Sequence, residues 1–428
     1  MTHPAPSHIG SEPEPLVVRT VAVPLPTATA LVELLPDPSD QPDSVAWLRR
    51  GEGLVGWGVA ARVRTTGTDR FADADAWWSA VTGHAVVRDE VGEPGTGLVT
   101  FGSFGFADEP GDSTLVVPEV VIGRQGERAW VTTVSASGLR PNAEVPAPSA
   151  EPPTPGEVTF GDGALDGASW TAVVADAVAR IGAGDLEKVV LARDLIATTE
   201  HPVDVRWPLR RLAADYPSCW TFHVDGLIGA TPELLVRRER GLVTSRVLAG
   251  TIRRTGDDDR DLALAATLAR SSKDLEEHEY AVRSVAEALT PHCSSTNVPE
   301  APYVLHLPNV MHLASDVTGV VHEDDSSVLR LAAALHPSAA VGGTPTDVAV
   351  ALIAEIEGMD RGRYAAPVGW MDASGDGEWG IALRSAEVSG RTVRLFAGCG
   401  IVADSDPASE LAEAAAKFLP VQQALTTR

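Results

Sequence analysis

Cysteine, lysine and long apolar runs are all scarce in this sequence of 428 residues. The three cysteines lie far apart and form no CxxC pair, which excludes a disulfide framework and a cysteine-based zinc site. No apolar run reaches the roughly eighteen residues that a transmembrane helix needs. The polar, proline-rich start has no apolar segment typical of a signal peptide, so we expect a cytoplasmic protein.

Positive charge is also in short supply, since the formal net charge is -25. This charge argues against nucleic acid or an anionic membrane as a partner. Of the 34 basic residues 31 are arginines, and lysine occurs only at Lys188, Lys273 and Lys417. Because lysine can act as a base when it is desolvated and arginine cannot, each retained lysine is a candidate catalytic residue. The alternative is chance retention on an exposed surface.

The pattern of apolar residues predicts one large folded domain. We expect residues 1–15 to be disordered and residues 16–428 to form a single domain, with an N-terminal half (16–137), a flexible proline-rich connection (138–157) and a C-terminal half (158–428). In the N-terminal half, VGWGVAARVRT and TLVVPEVVIGR each predict one strand. Many hairpins with helices between them predict an α+β fold, with large antiparallel β-sheets and helices packed on the outside.

The C-terminal segment combines a glycine-lined strand end with an acidic helix. Asp406 predicts the N-cap of this helix, with Pro407 at its first position. A core-facing stripe is expected at four apolar positions, namely Leu411, Ala415, Phe418 and Leu419.

A different face of the same helix carries Glu410, Glu413 and Lys417. Carboxylates one turn apart, next to Gly398 and Gly400, could hold a hard divalent cation. The alternative is a solvated acidic face with one i,i+4 ion pair.

Four other positions stand out singly. Glu277 shares a helix face with small residues, which leaves room for a bulky ligand, although it could equally be a surface acid. Lys188 begins a strand in an apolar setting that favours an uncharged amine. Glu233 follows a Thr-Pro pair at a strand end, where a buried carboxyl could keep its proton and act as an acid. Arg384 interrupts a strand and is expected to meet an anion.

Nine sequence blocks carry a family resemblance: KVVLAR (188–193), TPELL (231–235), LAGTI (248–252), SSKDLEEH (271–278), VMHLASDVTG (310–319), HPSAAVGGTP (336–345), RGRYAAPVGW (361–370), IALRSA (381–386) and AGCGIVADSDPASELAE (397–413). In these blocks the chain resembles the chorismate-utilising enzymes, which include isochorismate, salicylate, anthranilate and aminodeoxychorismate synthases. The N-terminal third matches only through GLVGWG and GSFGF.

The resemblance implies a single chorismate-binding domain, with residues 158–428 as its catalytic half. It implies chorismate as substrate and Mg²⁺ as cofactor, held by Glu277 and Glu413, with Glu410 and Asp274 in support. The substrate contacts that it implies come from Gly250, Thr251, His312, Ala340, Tyr364, Arg384, Gly398, Gly400 and Lys417.

Within the family, the resemblance favours isochorismate synthase. It implies that Lys188 activates water for attack at C2 and that Glu233 protonates the departing C4 hydroxyl group. Salicylate synthase is the alternative. Salicylate and anthranilate synthases, however, carry a threonine in the loop that begins with His-Pro (336–345 in this chain), where this chain has Ala340 and Val341. An anthranilate or aminodeoxychorismate synthase component fits less well. We expect a monomer without a glutaminase subunit, and the sequence leaves open whether the product feeds menaquinone or siderophore synthesis.

Overall fold

The computed structural model describes residues 15–136, 145–322 and 327–426. The predicted disordered N-terminus lies outside the described residues except for its last residue, as does the first part of the predicted connection. The helices within the described ranges are α1 (Arg70–His84), α2 (Gly167–Ala183), α3 (Arg206–Asp215), α4 (Asp258–Leu268), α5 (Ser272–Leu289), α6 (Val328–Ala334), α7 (Thr346–Ile356) and α8 (Pro407–Leu425). None of these helices combines the length and apolar composition that a membrane span requires.

The strands in the same ranges are numbered in chain order. They are β1 (Val17–Ala22), β2 (Ser44–Arg49), β3 (Glu52–Trp57), β4 (Ala61–Thr65), β5 (Val86–Asp89), β6 (Val99–Ser103), β7 (Ser113–Val117), β8 (Val120–Gln125), β9 (Arg128–Ser135), β10 (Val158–Asp162), β11 (Lys188–Thr199), β12 (Trp220–Val224), β13 (Leu227–Thr231), β14 (Leu234–Glu239), β15 (Leu242–Arg253), β16 (Cys293–Asn297), β17 (Tyr303–His306), β18 (Val310–Val321), β19 (Gly343–Thr344), β20 (Pro367–Asp372), β21 (Gly377–Ile381), β22 (Ser385–Ser389) and β23 (Thr392–Ile401).

These strands form two large sheets. The first has the order β10-β11-β23-β22-β13-β12-β2-β3-β8-β9-β1-β5, with β19 added beside β11. The second has the order β16-β18-β15-β14-β21-β20-β6-β7-β4, with β17 added beside β18. Among the described strands, only β1 and β5 pair in parallel. Helix α5 packs on β15 and β18, and α8 packs on β23. The predicted α+β fold with antiparallel sheets and packed helices is therefore confirmed.

Both sheets contain strands from both halves of the chain. Strand β2 pairs with β12 in the first sheet, and β6 pairs with β20 in the second. The described part of the connection, residues 145–157, contains no helix or strand. It contacts both halves at Ser149, whose N–H donates to the Glu33 carbonyl at 2.7 Å and whose Oγ accepts from Arg210 at 2.9 Å.

Two predicted single strands are wrong, because each is two strands that lie in different sheets. VGWGVAARVRT divides into the end of β3 and β4, and TLVVPEVVIGR into β7 and β8. Gly58 interrupts the first at a φ of 72°, and Pro118, which has no N–H to donate to a ladder, interrupts the second. Alternation of apolar residues continues through both breaks and so hides them.

Candidate active site

One wall of the site is the pair of strands β11 and β23. Their register places Val190 opposite Gly400 and Ala192 opposite Gly398. A Cβ at position 400 would collide with Glu277 Oε1 and lie 3.0 Å from the Cε of Lys188, the first residue of β11. The glycine at this position therefore leaves the space that the lysine and the carboxylate occupy.

The opposite wall is formed by β15 and β18, where Thr251 faces His312. The register shifts between Ala249 and Thr251 because Gly250 forms a bulge with a φ of 75°. A Cβ at Gly250 would lie 3.0 Å from the Asp274 Cβ. The bulge thus brings this strand against the first turn of α5.

Helices α5 and α8 bring four carboxylates to the same place. Glu277 lies on α5, and Glu410 and Glu413 lie one turn apart on α8. Burial raises the pKa of Asp274, and the charges of Glu277 and Glu413 raise it further. Burial and the charge of Glu413 likewise raise the pKa of Glu410. The carboxylates of both helices therefore lie close enough to repel one another.

The predicted orientation of α8 is wrong in part. Its N-cap is Asp406 as expected, with the carboxylate accepting from the Ser409 N–H at 2.9 Å. Of the predicted stripe, only Phe418 is buried, and Ala415 is exposed. Glu410 is only 4% exposed and belongs to the buried face. The acidic face is only partly solvated, because Glu410 pairs with Lys273 of α5 and Lys417 binds the Gly398 carbonyl on β23.

Each of the three lysines lies beside one of the three predicted metal ligands. Lys188 Nζ is 3.2 Å from Glu277 Oε1, Lys273 Nζ is 3.3 Å from Glu410 Oε1, and Lys417 Nζ is 2.6 Å from Glu413 Oε1.

Lys188 and Lys417 differ in their remaining contacts. The Lys188 side chain is 1% exposed, and its amine makes no hydrogen bond within the described ranges. Its setting is thus less apolar than expected, because Glu277 is its neighbour. Lys417 also donates to the Gly398 carbonyl at 2.9 Å. Burial opposes the charge of Lys417, but its ion pair with Glu413 raises its pKa above the usual value, so it stays an ammonium.

A second cation, Arg384, lies in the pocket without an acidic partner. Its backbone has a positive φ of 50°, its exposure is 9%, and no carboxylate of the described chain forms an ion pair with it. Arg384 Nη2 donates to His312 Nε2 at 3.3 Å, which leaves His312 Nδ1 to donate to Thr251 Oγ1 at 3.0 Å. Burial and the charge of Arg384 hold the pKa of His312 well below 6.5, so the imidazole is neutral.

Glu233 supplies a carboxyl group of a different kind. It is 4% exposed, and its Oε1 accepts from the Leu248 N–H at 3.5 Å. Burial raises its pKa to about 8, although Lys188, Arg384 and Lys417 act in the opposite direction. The carboxyl therefore keeps its proton at neutral pH, in line with the expectation from the sequence.

These groups converge on one cavity. Twelve of the fourteen predicted site residues line it: Glu233, Gly250, Thr251, Glu277, His312, Ala340, Tyr364, Arg384, Gly398, Gly400, Glu413 and Lys417. Lys188 and Glu410 lie outside this lining, next to its residues Glu277 and Glu413 respectively. A larger cavity, rich in arginine and tryptophan, contains none of the predicted residues.

The sequence reasoning missed a buried ion pair that supports the wall. Glu357 and Arg361, at most 2% exposed, pair at 2.6 Å. Arg361 donates to the carbonyls of Val190 and Val341, and Glu357 accepts from the Ala192 N–H. The pair thus fixes β11 to the loop that carries Ala340 and Val341. Arg361 lies in a quoted sequence block, but its partner Glu357 lies outside every block.

The carboxylates suit a hard divalent cation. Glu277, Glu410, Glu413 and Asp274 offer the oxygen ligands that Mg²⁺ prefers, and a cation would offset the repulsion that helps to raise the pKa values of Asp274 and Glu410. Cys399 Sγ lies within 4.8 Å of ligand atoms of Glu410 and Glu413. It donates instead to the Glu410 carbonyl, and burial keeps its pKa well above 9, so it stays a thiol.

The sequence is similar to known proteins over most of its length. A family described as chorismate binding enzyme matches residues 33–426. Isochorismate synthase DhbC of Bacillus subtilis is 42% identical over 263 residues, which cover 59% of this chain and 66% of that protein. The salicylate biosynthesis isochorismate synthase of Pseudomonas aeruginosa is 33% identical over 407 residues, which cover 89% of this chain and 84% of that protein. Against B. subtilis MenF the alignment spans 56% of the relative's length.

Solved structures share the fold. The menaquinone-specific isochorismate synthase MenF of Escherichia coli superposes with a TM-score of 0.77 at 26% identity, covering 96% of this chain and 95% of that one. A putative 2,3-dihydroxybenzoate-specific isochorismate synthase of Bacillus anthracis gives 0.75 at 32% identity, covering 90% and 96%.

Proposed function

The chain belongs to the chorismate binding enzyme family, and we propose that it is an isochorismate synthase, which converts chorismate to isochorismate. The observation that carries the proposal is the contrast between two buried groups at one cavity. Lys188 offers an amine without a hydrogen-bond partner in the described ranges, and Glu233 offers a carboxyl group that keeps its proton. A base and an acid are the two groups that moving a hydroxyl group around a ring requires.

Chorismate is a dianion, and the pocket supplies cations for it locally although the whole chain is acidic. Arg384, which has no acidic partner in the described ranges, and the charged Lys417 would bind the enolpyruvyl carboxylate together with Tyr364. The backbone at Gly250 and Thr251 would approach the ring carboxylate. The neutral His312 would border the ring, held in one tautomer by Thr251 and Arg384.

Glu277 and Glu413 would hold Mg²⁺, with Glu410 and Asp274 in support. When bound, Mg²⁺ would orient the ring carboxylate and offset its charge. Lys188 lies beside Glu277, and we propose that its amine is the base of the reaction.

We propose the following reaction for this acid and base. Lys188 takes a proton from water as the water oxygen bonds to C2 of the ring. The ring double bonds shift, the C4–O bond breaks, and Glu233 gives its proton to the departing hydroxyl group, which leaves as water. One water enters and one leaves, so substrate and product are isomers, and proton exchange with solvent restores both residues.

The proposal ends at isochorismate and does not include pyruvate loss. Ala340 and Val341 border the cavity where salicylate synthases carry a threonine, which supports release of isochorismate. Because water is the nucleophile, we propose that the enzyme works without a glutaminase subunit.

Product analysis tests the proposal. The protein is incubated with chorismate and Mg²⁺, and the products are separated by chromatography. We expect isochorismate, with chorismate remaining because the two isomers have similar energies. Salicylate with pyruvate would assign the chain to the alternative activity, and unchanged chorismate would overturn the proposal. Lys188→Ala is the matched control, and it should form neither product.

A further inference from the structure

One of the lysines that pair with carboxylates of the site has no role in the proposed reaction. The chain has three lysines, and each one neutralises a different carboxylate of the cation site. Generic surface ion pairs in the chain use arginine, as in Arg180–Glu355 and Arg283–Glu187. Two of the lysines, Lys188 and Lys417, already have roles in the proposed reaction, but Lys273 has none.

Lys273 binds one of the carboxylates that would support a cation. It is in the first turn of α5, and its partner Glu410 is in the first turn of α8, so the ion pair joins the two helices that supply the carboxylates. Glu410 is buried, and among the described residues its ion-pair partner is Lys273. While this pair is intact, the ammonium binds a carboxylate oxygen that would otherwise be free to support the cation.

The three lysines differ in their freedom to leave. The side chain of Lys188 is 1% exposed and that of Lys417 is 12% exposed, whereas that of Lys273 is 37% exposed. Lys417 is also bound to the Gly398 carbonyl. Lys273 is neither deeply buried nor bound to a backbone carbonyl. In the described ranges its one ion pair and its one hydrogen bond are both with Glu410. A long, partly solvated side chain can exchange a carboxylate for water at little cost.

We propose that Lys273 is a positioning residue that holds Glu410 in the cation-free enzyme and is displaced when Mg²⁺ binds. The ammonium keeps the buried carboxylate neutralised and in place until the cation arrives. Lys273 thereby lowers the apparent affinity for Mg²⁺, because binding requires loss of the ion pair. This inference rests on the proposed function, since it assumes that the carboxylates bind a divalent cation.

Lysine labelling tests displacement without any activity measurement. The purified protein is acetylated briefly with and without Mg²⁺ at equal ionic strength, and the extent of modification at each lysine is read by mass spectrometry. We expect labelling of Lys273 to rise several-fold with Mg²⁺, while Lys188 and Lys417 stay protected. Unchanged or reduced labelling of Lys273 in the Mg²⁺-bound protein would overturn the inference.

Calorimetric titration with Mg²⁺ tests the competition. Lys273→Gln removes the ammonium, and we expect the Kd to fall roughly three- to tenfold. Arg283→Gln is the matched control, because it removes one positive charge from the same helix at an exposed ion pair, and its Kd should stay within about twofold of wild type. Equal Kd values for Lys273→Gln and wild type would contradict competition.

The two proposals fail in different ways. If the wild-type protein binds no Mg²⁺, both the proposed cofactor and this inference are overturned. If it binds Mg²⁺ and forms isochorismate while Lys273 neither gains reactivity nor alters the Kd, the proposed function stands and this inference alone is rejected. Without Mg²⁺, Lys273→Gln should unfold a few degrees below wild type, because the buried Glu410 loses its ion pair.

Discussion

Replacing Glu233 by glutamine should reveal the proton that this carboxyl group keeps. Its pKa is about 8 in the folded protein against an ordinary value of 4.5. Between these values the folded state holds a proton that the unfolded state has lost, so wild-type stability falls as pH rises. Each pH unit lowers the free energy of unfolding by about 1.4 kcal/mol, and the full interval amounts to roughly 4 to 5 kcal/mol. Above pH 8 both states are ionised and the loss stops growing.

Glu233→Gln keeps the size of the side chain, but the amide does not ionise in this pH range. Urea unfolding of wild type and variant at several pH values between 5 and 9 isolates this one group, because the other titrating groups cancel in the difference. We expect the variant to gain stability relative to wild type up to about pH 8 and then to level off. A difference that does not vary with pH would refute the reasoning. The variant should also lose about 10²–10⁴-fold in turnover, because the acid is gone.

Three further predictions concern the walls of the site. Lys188→Arg should lower turnover about 10²–10⁴-fold because arginine cannot act as a base, whereas its Mg²⁺ affinity by calorimetry should change little; retained turnover would mean that water is activated otherwise. Arg361→Ala should lower the free energy of unfolding by about 3–5 kcal/mol, because Glu357 is left buried without its partner; a urea midpoint equal to wild type would contradict this. Gly400→Ala should abolish turnover, because its Cβ would collide with Glu277, whereas Gly161→Ala, where nothing lies within 4 Å, should be neutral in the same assay.

The sequence predicts where individual helices and strands begin and end better than it predicts which strands pair. The start of β11 at Lys188 and the cap of α8 at Asp406 depend on short local signals such as capping residues. The pairing of β2 with β12 joins residues more than 150 positions apart, and no local signal encodes it. The breaks at Gly58 and Pro118 are hidden because alternation continues in the next sheet.

The residues of the candidate site could be predicted where they lie in the sequence blocks. The arrangement of its buried charged side chains could be predicted less well. The spacing of apolar residues predicts the wrong buried face for α8, because it places Glu410 on the side that faces solvent, whereas Glu410 is buried. The helix buries the carboxylate instead, beside Lys273. The contact between Lys188 and Glu277 joins a strand and a helix about 90 residues apart, so its existence requires the fold. Composition gave the useful signal here, since the scarce lysines all lie at the site.

The most direct measurement follows the oxygen that enters at C2. The enzyme is incubated with chorismate and Mg²⁺ in ¹⁸O-labelled water, and isochorismate is analysed by mass spectrometry. The account predicts one ¹⁸O atom in the new C2 hydroxyl group, and no such product from Lys188→Ala. Isochorismate without label, or label incorporation that Lys188→Ala retains at the wild-type rate, would contradict water addition by this lysine.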